Sequence, residues 1–301
     1  MQVGRCSATT VVGMIANIRV DTPDGVQLAV TDPGGDAPPL LAVHATGFCG
    51  EVLRPMCAAM GDAYRCITFD QRGHGMSSPP ADRNFDWHGF ATDVLSVVDA
   101  LGLTRPAGFG HSCGGAALLL AEEARPGTFS ALYCYEPVVY PSDEPLDPSM
   151  DNNPLSAGAM RRRETFASRE EALANFAAKA PFDCLDPQVL AAYVECGFVT
   201  GPEGDGGPVS LACERENEAL VYANGFSHDA YARLGEVACP VTLACGSETD
   251  AFGVDFLQAF AARLPKSRVL VMEGLGHFGP LENPRTLADS LLGSLADTAS
   301  A

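Results

Sequence analysis

Short, almost uninterrupted apolar runs recur along this chain with helix-patterned segments between them, and that rhythm restricts the fold more than any other property of the sequence. The runs are Ile15 to Val20, Val26 to Thr31, Leu40 to His44, Arg65 to Asp70, Ala107 to His111, Ala131 to Glu136, Val241 to Cys245 and Val269 to Met272. A strand that is apolar throughout must be covered on both faces, which a mostly parallel sheet flanked by helices provides. The first two runs are joined by the turn sequence Pro23-Asp24-Gly25 and are expected to form an antiparallel hairpin at the sheet edge. From Leu40 onward the order is strand, helix, strand. The expected class is α/β, with an eight-stranded, mostly parallel sheet.

Three helices can be placed from capping and spacing. Asp86 can cap a helix carrying Phe90, Val94, Val97, Val98 and Leu101 and stopping at Gly102. A second follows Ser112 and ends by Pro126, and Ser168 with Glu171 forms a capping box ahead of Leu173 and Phe176. The rhythm breaks between about Pro141 and Val237, where a Pro- and Asp-rich stretch leads into helical segments and the glycine-rich Gly201 to Gly207. The expected organisation is a core formed by 1–140 and 238–301, interrupted by a helical cap at 141–237.

Composition narrows the function. With 301 residues, 47% of them hydrophobic, the chain can bury a sizeable core. A formal charge of −19 repels phosphate backbones and anionic lipid, so neither nucleic acid nor a membrane surface is an expected partner. No apolar run approaches the roughly 18 residues that span a bilayer, and Val11 to Ile15 is too short for a signal segment. The expected location is the cytoplasm, with Met14 an alternative first residue. Eleven cysteines fall in no C-x-x-C pair or zinc spacing, so free thiols, no metal and no cofactor are expected. The assembly state is left open, a homodimer included.

The segment Gly110-His111-Ser112-Cys113-Gly114-Gly115 has the form G-x-S-x-G between an apolar run and a helix. A sharp strand-to-helix turn there presents the Ser112 hydroxyl at the sheet edge. A serine hydroxyl needs a base, and His277, in Gly276-His277-Phe278-Gly279-Pro280, lies on a loop past the last strand, where it can meet Ser112.

With His44-Ala45-Thr46-Gly47-Phe48 after the third strand and Asp70-Gln71-Arg72-Gly73-His74-Gly75-Met76-Ser77 after the fourth, four motifs stand in one order, and the chain resembles the α/β-hydrolase family over almost its whole length outside the cap. The family's first loop usually reads His-Gly; here it reads His44-Ala45. The resemblance implies an oxyanion hole from the backbone N–H groups of Thr46 and Cys113, with Phe48 and Cys49 lining the pocket. Asp70 to Ser77 is expected to be structural. The acid that orients His277 is open between two residues. Asp250 follows the strand after the cap, where most members carry it, but the usual G-x-x-D register places Thr249 there. Glu136 ends the sixth strand, where zearalenone lactonases and haloalkane dehalogenases resemble this chain, and a carboxylate there needs a partner. Glu136 is favoured.

Within the family that the chain resembles, Ser112 at the elbow argues against the haloalkane dehalogenase and epoxide hydrolase branches, which use a carboxylate nucleophile there. The resemblance then implies acyl transfer from a small-molecule ester or lactone to water, with carbon–carbon bond hydrolysis of dienoic diketones and non-catalytic ligand binding as rival expectations. In the cap, Arg161 within Arg161-Arg162-Arg163 is a candidate for binding a substrate carboxylate, and Phe176, with Trp87, Phe166 and Phe182, a candidate for an apolar wall, although core packing is the commoner use of such residues.

Overall fold

A computed structural model describes residues 17–150, 153–202, 204 and 206–299. Met14 and the start of the first apolar run fall outside them. The strands are β1 (Ile18–Asp21), β2 (Gln27–Thr31), β3 (Pro39–Val43), β4 (Arg65–Phe69), β5 (Ala107–His111), β6 (Ala131–Tyr135), β7 (Thr165–Phe166), β8 (Phe198–Thr200), β9 (Val209–Leu211), β10 (Val241–Gly246) and β11 (Ser267–Met272). The helices are α1 (Arg54–Met60), α2 (Trp87–Ala100), α3 (Cys113–Ala124), α4 (Pro154–Met160), α5 (Arg169–Ala177), α6 (Pro187–Cys196), α7 (Arg215–Ala223), α8 (Ala230–Arg233), α9 (Val254–Ala261), α10 (Gly279–Glu282) and α11 (Pro284–Ala299).

Eight strands form one sheet in the order β1-β2-β4-β3-β5-β6-β10-β11. Only β2 runs against its neighbours; its hairpin with β1 closes through Thr22 and Val26, as the Pro-Asp-Gly turn requires. Every pair from β4 to β11 is parallel. The chain moves from β3 outward to β4 and then back across β3 to β5, so the loops after β3 and β5 diverge and leave a crevice at the strands' C-terminal ends.

Helices α2 and α3 cover one face of the sheet and α1 and α11 the other. The Asp86 side chain accepts a hydrogen bond from the His88 amide at 2.8 Å and starts α2. Ser168 caps α5 through the Glu171 amide, while the Glu171 carboxylate reaches back to the Ala167 amide. Ten cysteines among the described residues are free, most of them buried. No helix among the described residues is long and apolar enough to cross a membrane.

Between β6 and β10 the chain leaves the main sheet. This segment is not purely helical as expected: β7, β9 and β8 form a small antiparallel sheet, and the glycine-rich stretch after Thr200 connects β8 to β9. Strands of two or three residues are too short for any periodicity to reveal. Phe166, Phe176, Tyr193 and Phe198 pack ring against ring there, and the cluster continues through Phe48 into the core beneath the sheet.

Candidate active site

Ser112 follows β5 immediately and precedes α3, with φ 55° and ψ −116°. This is a costly region for a residue with a side chain, and it persists because the flanking backbone is held: the Ser112 amide donates to the Tyr135 carbonyl at 2.9 Å, and its own carbonyl accepts from Ala116 at 3.2 Å. A Cβ on Gly114 would collide with the carbonyl oxygens of Val43 and His44, and one on Gly110 with the backbone of Gly114 and Gly115. Both glycines are therefore required by close approach, which explains the G-x-S-x-G spacing.

His277 sits on the loop between β11 and α10 and shares with Ser112 the wall of a cavity of about 680 Å³. Its Nδ1 donates to Glu136 Oε2 at 2.7 Å. Glu136 comes directly after β6, fully buried and with φ 44°. Two further donors complete its shell: the Gly246 amide at 3.0 Å to Oε1 and the Thr249 hydroxyl at 2.8 Å to Oε2. A buried carboxylate is tolerated when its oxygens are satisfied in this way. Asp250 borders the same cavity but is exposed, and the Nδ1 it would have to bind is occupied by Glu136.

Two neighbours hold the histidine loop. His111 Nε2 donates to the His277 carbonyl at 2.9 Å, and the Tyr135 hydroxyl to the Gly276 carbonyl at 2.7 Å. Burial, with the nearby His277, depresses the His111 pKa well below the usual imidazole value, so this ring is neutral.

Thr46 borders the same cavity as Ser112, and Cys113, whose thiol donates to Gln71 Oε1 at 3.7 Å, stands at the first position of α3, where its amide has no acceptor within the helix. The Asp70 to Ser77 loop acts as a scaffold. Burial lowers His74 to about 4; its Nδ1 donates to the Arg72 carbonyl and its Nε2 accepts from the Gly47 amide at 3.0 Å. Burial lowers His44 to about 3, and it accepts from the Gln71 amide at 3.0 Å. Arg72 is locked by Asp93 and Asp24.

Beside the first cavity lies a second of about 450 Å³, and Thr46, Leu155, Tyr222 and Phe278 border both. Phe48 and Phe176 line the second, as expected for pocket residues. Two expectations fail. Cys49 is fully buried in the core below the loop and borders neither cavity. Arg161 is exposed just past the end of α4 and borders neither cavity, whereas Arg162 and Arg163 line the second. The three arginines lie in the turn that follows α4; Arg163 reaches the same cavity from an exposed position, and Arg162 is the most covered of the three. Arg162 pairs with Glu218 and Tyr193, and Glu218 packs against Gly47. Burial opposes the Arg162 charge, but Tyr193 and Glu218 hold its pKa above the ordinary value. Trp87 both fills core and borders the larger cavity, its Nε1 donating to the Val221 carbonyl; Phe166 is core, and Phe182 lines the smaller cavity. Glu218, Tyr222 and the Thr249 hydroxyl had no sequence signal beyond, for Thr249, its place in the G-x-x-D register.

A strained serine after a parallel strand, with a histidine and a carboxylate converging on the same sheet edge, defines the α/β-hydrolase architecture. The chain belongs to the alpha/beta hydrolase family, whose model matches residues 40–290. It is similar to RutD of Enterobacter cloacae, provisionally named a carbamate hydrolase, with 24% identity over 273 residues, 90% of this chain and 96% of RutD. Its fold is shared with E-2-(acetamidomethylene)succinate hydrolase, at TM-score 0.77 and 20% identity over 92% of this chain and 97% of that one. It is also shared with the enol-lactonase of Burkholderia xenovorans, at TM-score 0.70 and 17% identity over 93% of this chain and 100% of that one.

Proposed function

We propose that this protein is a serine hydrolase that cleaves a carboxylic ester or lactone through an acyl-enzyme. The observation that carries this is the bond from His277 Nδ1 to the fully buried Glu136, on a histidine that shares a cavity wall with the strained Ser112. With Nδ1 donating, Nε2 is left to accept a proton. Ser112 attacks the substrate carbonyl as His277 removes its proton, and the Thr46 and Cys113 amides take up the charge developing on the carbonyl oxygen. His277 then protonates the leaving oxygen. Water, deprotonated by the same histidine, opens the acyl-enzyme and returns Ser112. Glu136 holds the tautomer and stabilises the imidazolium.

The segment 141–237 acts in this scheme as a cap, since Leu155, Phe182 and Tyr222 close the cavities beside the nucleophile. RutD is named for carbamate hydrolysis and the Burkholderia protein for an enol-lactone, both cleavages at a carbonyl carbon, which agrees with acyl transfer here. Exposure to a fluorophosphonate probe followed by peptide mapping tests the proposal. Rapid labelling of Ser112 that His277→Ala abolishes is the expected result; a folded protein left unlabelled, with no turnover of an ester and lactone panel, would overturn it.

A further inference from the structure

The two cavities meet at Thr46 but differ in charge. The smaller is lined by Arg162, Arg163 and Lys179 against one acid, Glu218, and Glu218 is already paired with Arg162. Arg163 also pairs with Glu171, and Lys179 donates to Asn175. A guanidinium has five N–H donors, so the bonds from Arg162 to Glu218 and Tyr193 leave donors for a ligand. The Phe176 and Phe182 rings stand 5.9 and 5.8 Å from the Arg162 guanidinium carbon and keep it in place. The larger cavity, by contrast, is walled by Trp87, Val138, Phe226 and Phe252, and the acids on its lining are Asp147 and Asp250. In a chain of net charge −19, the lining of this cavity carries three cationic side chains to one acidic, two of the cations being held by carboxylates.

The proton path gives this asymmetry a direction. His277 must reach the leaving oxygen, and it borders the larger cavity and not the smaller. Thr46, an oxyanion donor in the mechanism above, borders both, so the scissile carbonyl lies at the junction. The alcohol then occupies the larger, apolar cavity and the acyl chain extends into the smaller one. Resting on the ester-hydrolase reading, we infer that the smaller cavity is an anion subsite for a carboxylate at the far end of the acyl group. The favoured substrates are monoesters of dicarboxylic acids with an apolar alcohol. Asp147 and Asp250 disfavour the reverse placement, because an anionic alcohol would meet like charge.

The test compares 4-nitrophenyl hexanoate, mono-4-nitrophenyl adipate and 4-carboxyphenyl hexanoate with the full-length protein, alongside the Tm in the presence of free adipate. The adipate monoester is expected to exceed the neutral ester in kcat/KM by about tenfold or more at low salt, with the ratio shrinking as salt screens the rim charges. Arg163→Gln with Lys179→Gln should bring the ratio close to one, and Arg162→Lys, which keeps the charge opposite Glu218 but loses the fork, should lower it. The carboxyphenyl ester should be the poorest of the three. Turnover of the neutral ester without preference for the adipate monoester, or with a preference the double variant leaves unmoved, overturns the subsite while ester hydrolysis stands. If no ester is turned over but adipate raises the Tm of the wild type and not of the double variant, the subsite stands and the hydrolytic reading falls. No turnover and no Tm shift overturn both.

Discussion

The loops after β6 and β10 end side by side at the same sheet edge, and each presents a carboxylate. Glu136, after β6, is buried and receives three hydrogen bonds, from Gly246, Thr249 and His277. Asp250, after β10, is exposed at the cavity rim. The second loop has not lost its part in the site: Thr249 and Gly246 supply the donors that make the buried Glu136 tenable. One strand end carries the charge and its neighbour carries the solvation of that charge. A third carboxylate completes the contrast. Glu123 on α3 is buried as well, yet both its oxygens lack a hydrogen-bond partner, and burial pushes its pKa up to about 9.

The sharpest way to break the comparison is to neutralise each acid in turn. Glu136→Gln is expected to lower kcat by about 10⁴-fold with the fold intact, since the amide cannot hold the reactive tautomer; steady-state kinetics with circular dichroism checks this. An equal loss in Asp250→Asn would move the acid to the β10 loop.

Glu123 tests burial without partners. Its folded pKa lies above its unfolded value of about 4.5, so the folded state retains the proton longer and stability falls as pH rises from about 4.5 toward 9. Glu123→Met should remove that slope and stabilise the protein at pH 8 by on the order of 2–4 kcal/mol, with little gain near pH 4.5. Thermal melts across this range measure it. A variant that melts lower than wild type at pH 8 would show that the carboxyl has a partner.

Thr249→Val removes one donor from Glu136 and should lower kcat/KM about tenfold. A complementary exchange moves the acid: Thr249→Asp in a Glu136→Ala background is expected to recover at least about tenfold over Glu136→Ala alone. No recovery would mean the β10 loop cannot bring an oxygen to His277 Nδ1. The smallest effect belongs to Asp250→Asn, within about twofold on a neutral ester, as for an exposed side chain away from the reacting atoms.

Much of the fold was legible because its signals are local. The apolar runs at Leu40, Arg65, Ala107 and Ala131 became β3 to β6 within a residue or so, and Asp86 and Ser168 cap the helices they were expected to start. Ser112 and His277 were legible through the glycines and strand ends around them. The choice of Glu136 rested on the need of a carboxylate at a buried strand end for a partner, and His277 is the partner found there. The small sheet in the inserted segment was not legible, because strands as short as Thr165–Phe166 carry no pattern. Nor was it legible which of Arg161-Arg162-Arg163 would line a cavity, because that depends on how the turn after α4 sits against Glu218 on α7 and Tyr193 on α6.

The division follows from the range of the forces involved. Hydrophobic rhythm, caps and the tolerance for tight glycine turns act between residues close in the chain, so the sequence alone determined the α/β architecture, the strained serine and the loop that bears the histidine. Partnership between charges depends on which strand ends lie side by side, and the order β5-β6-β10 is settled only when the whole sheet closes. Tertiary structure therefore decided that Glu136 meets His277 across 141 positions of sequence, that Thr249 serves it, and that Arg162 turns inward beside Glu218 while Arg161 stays in water.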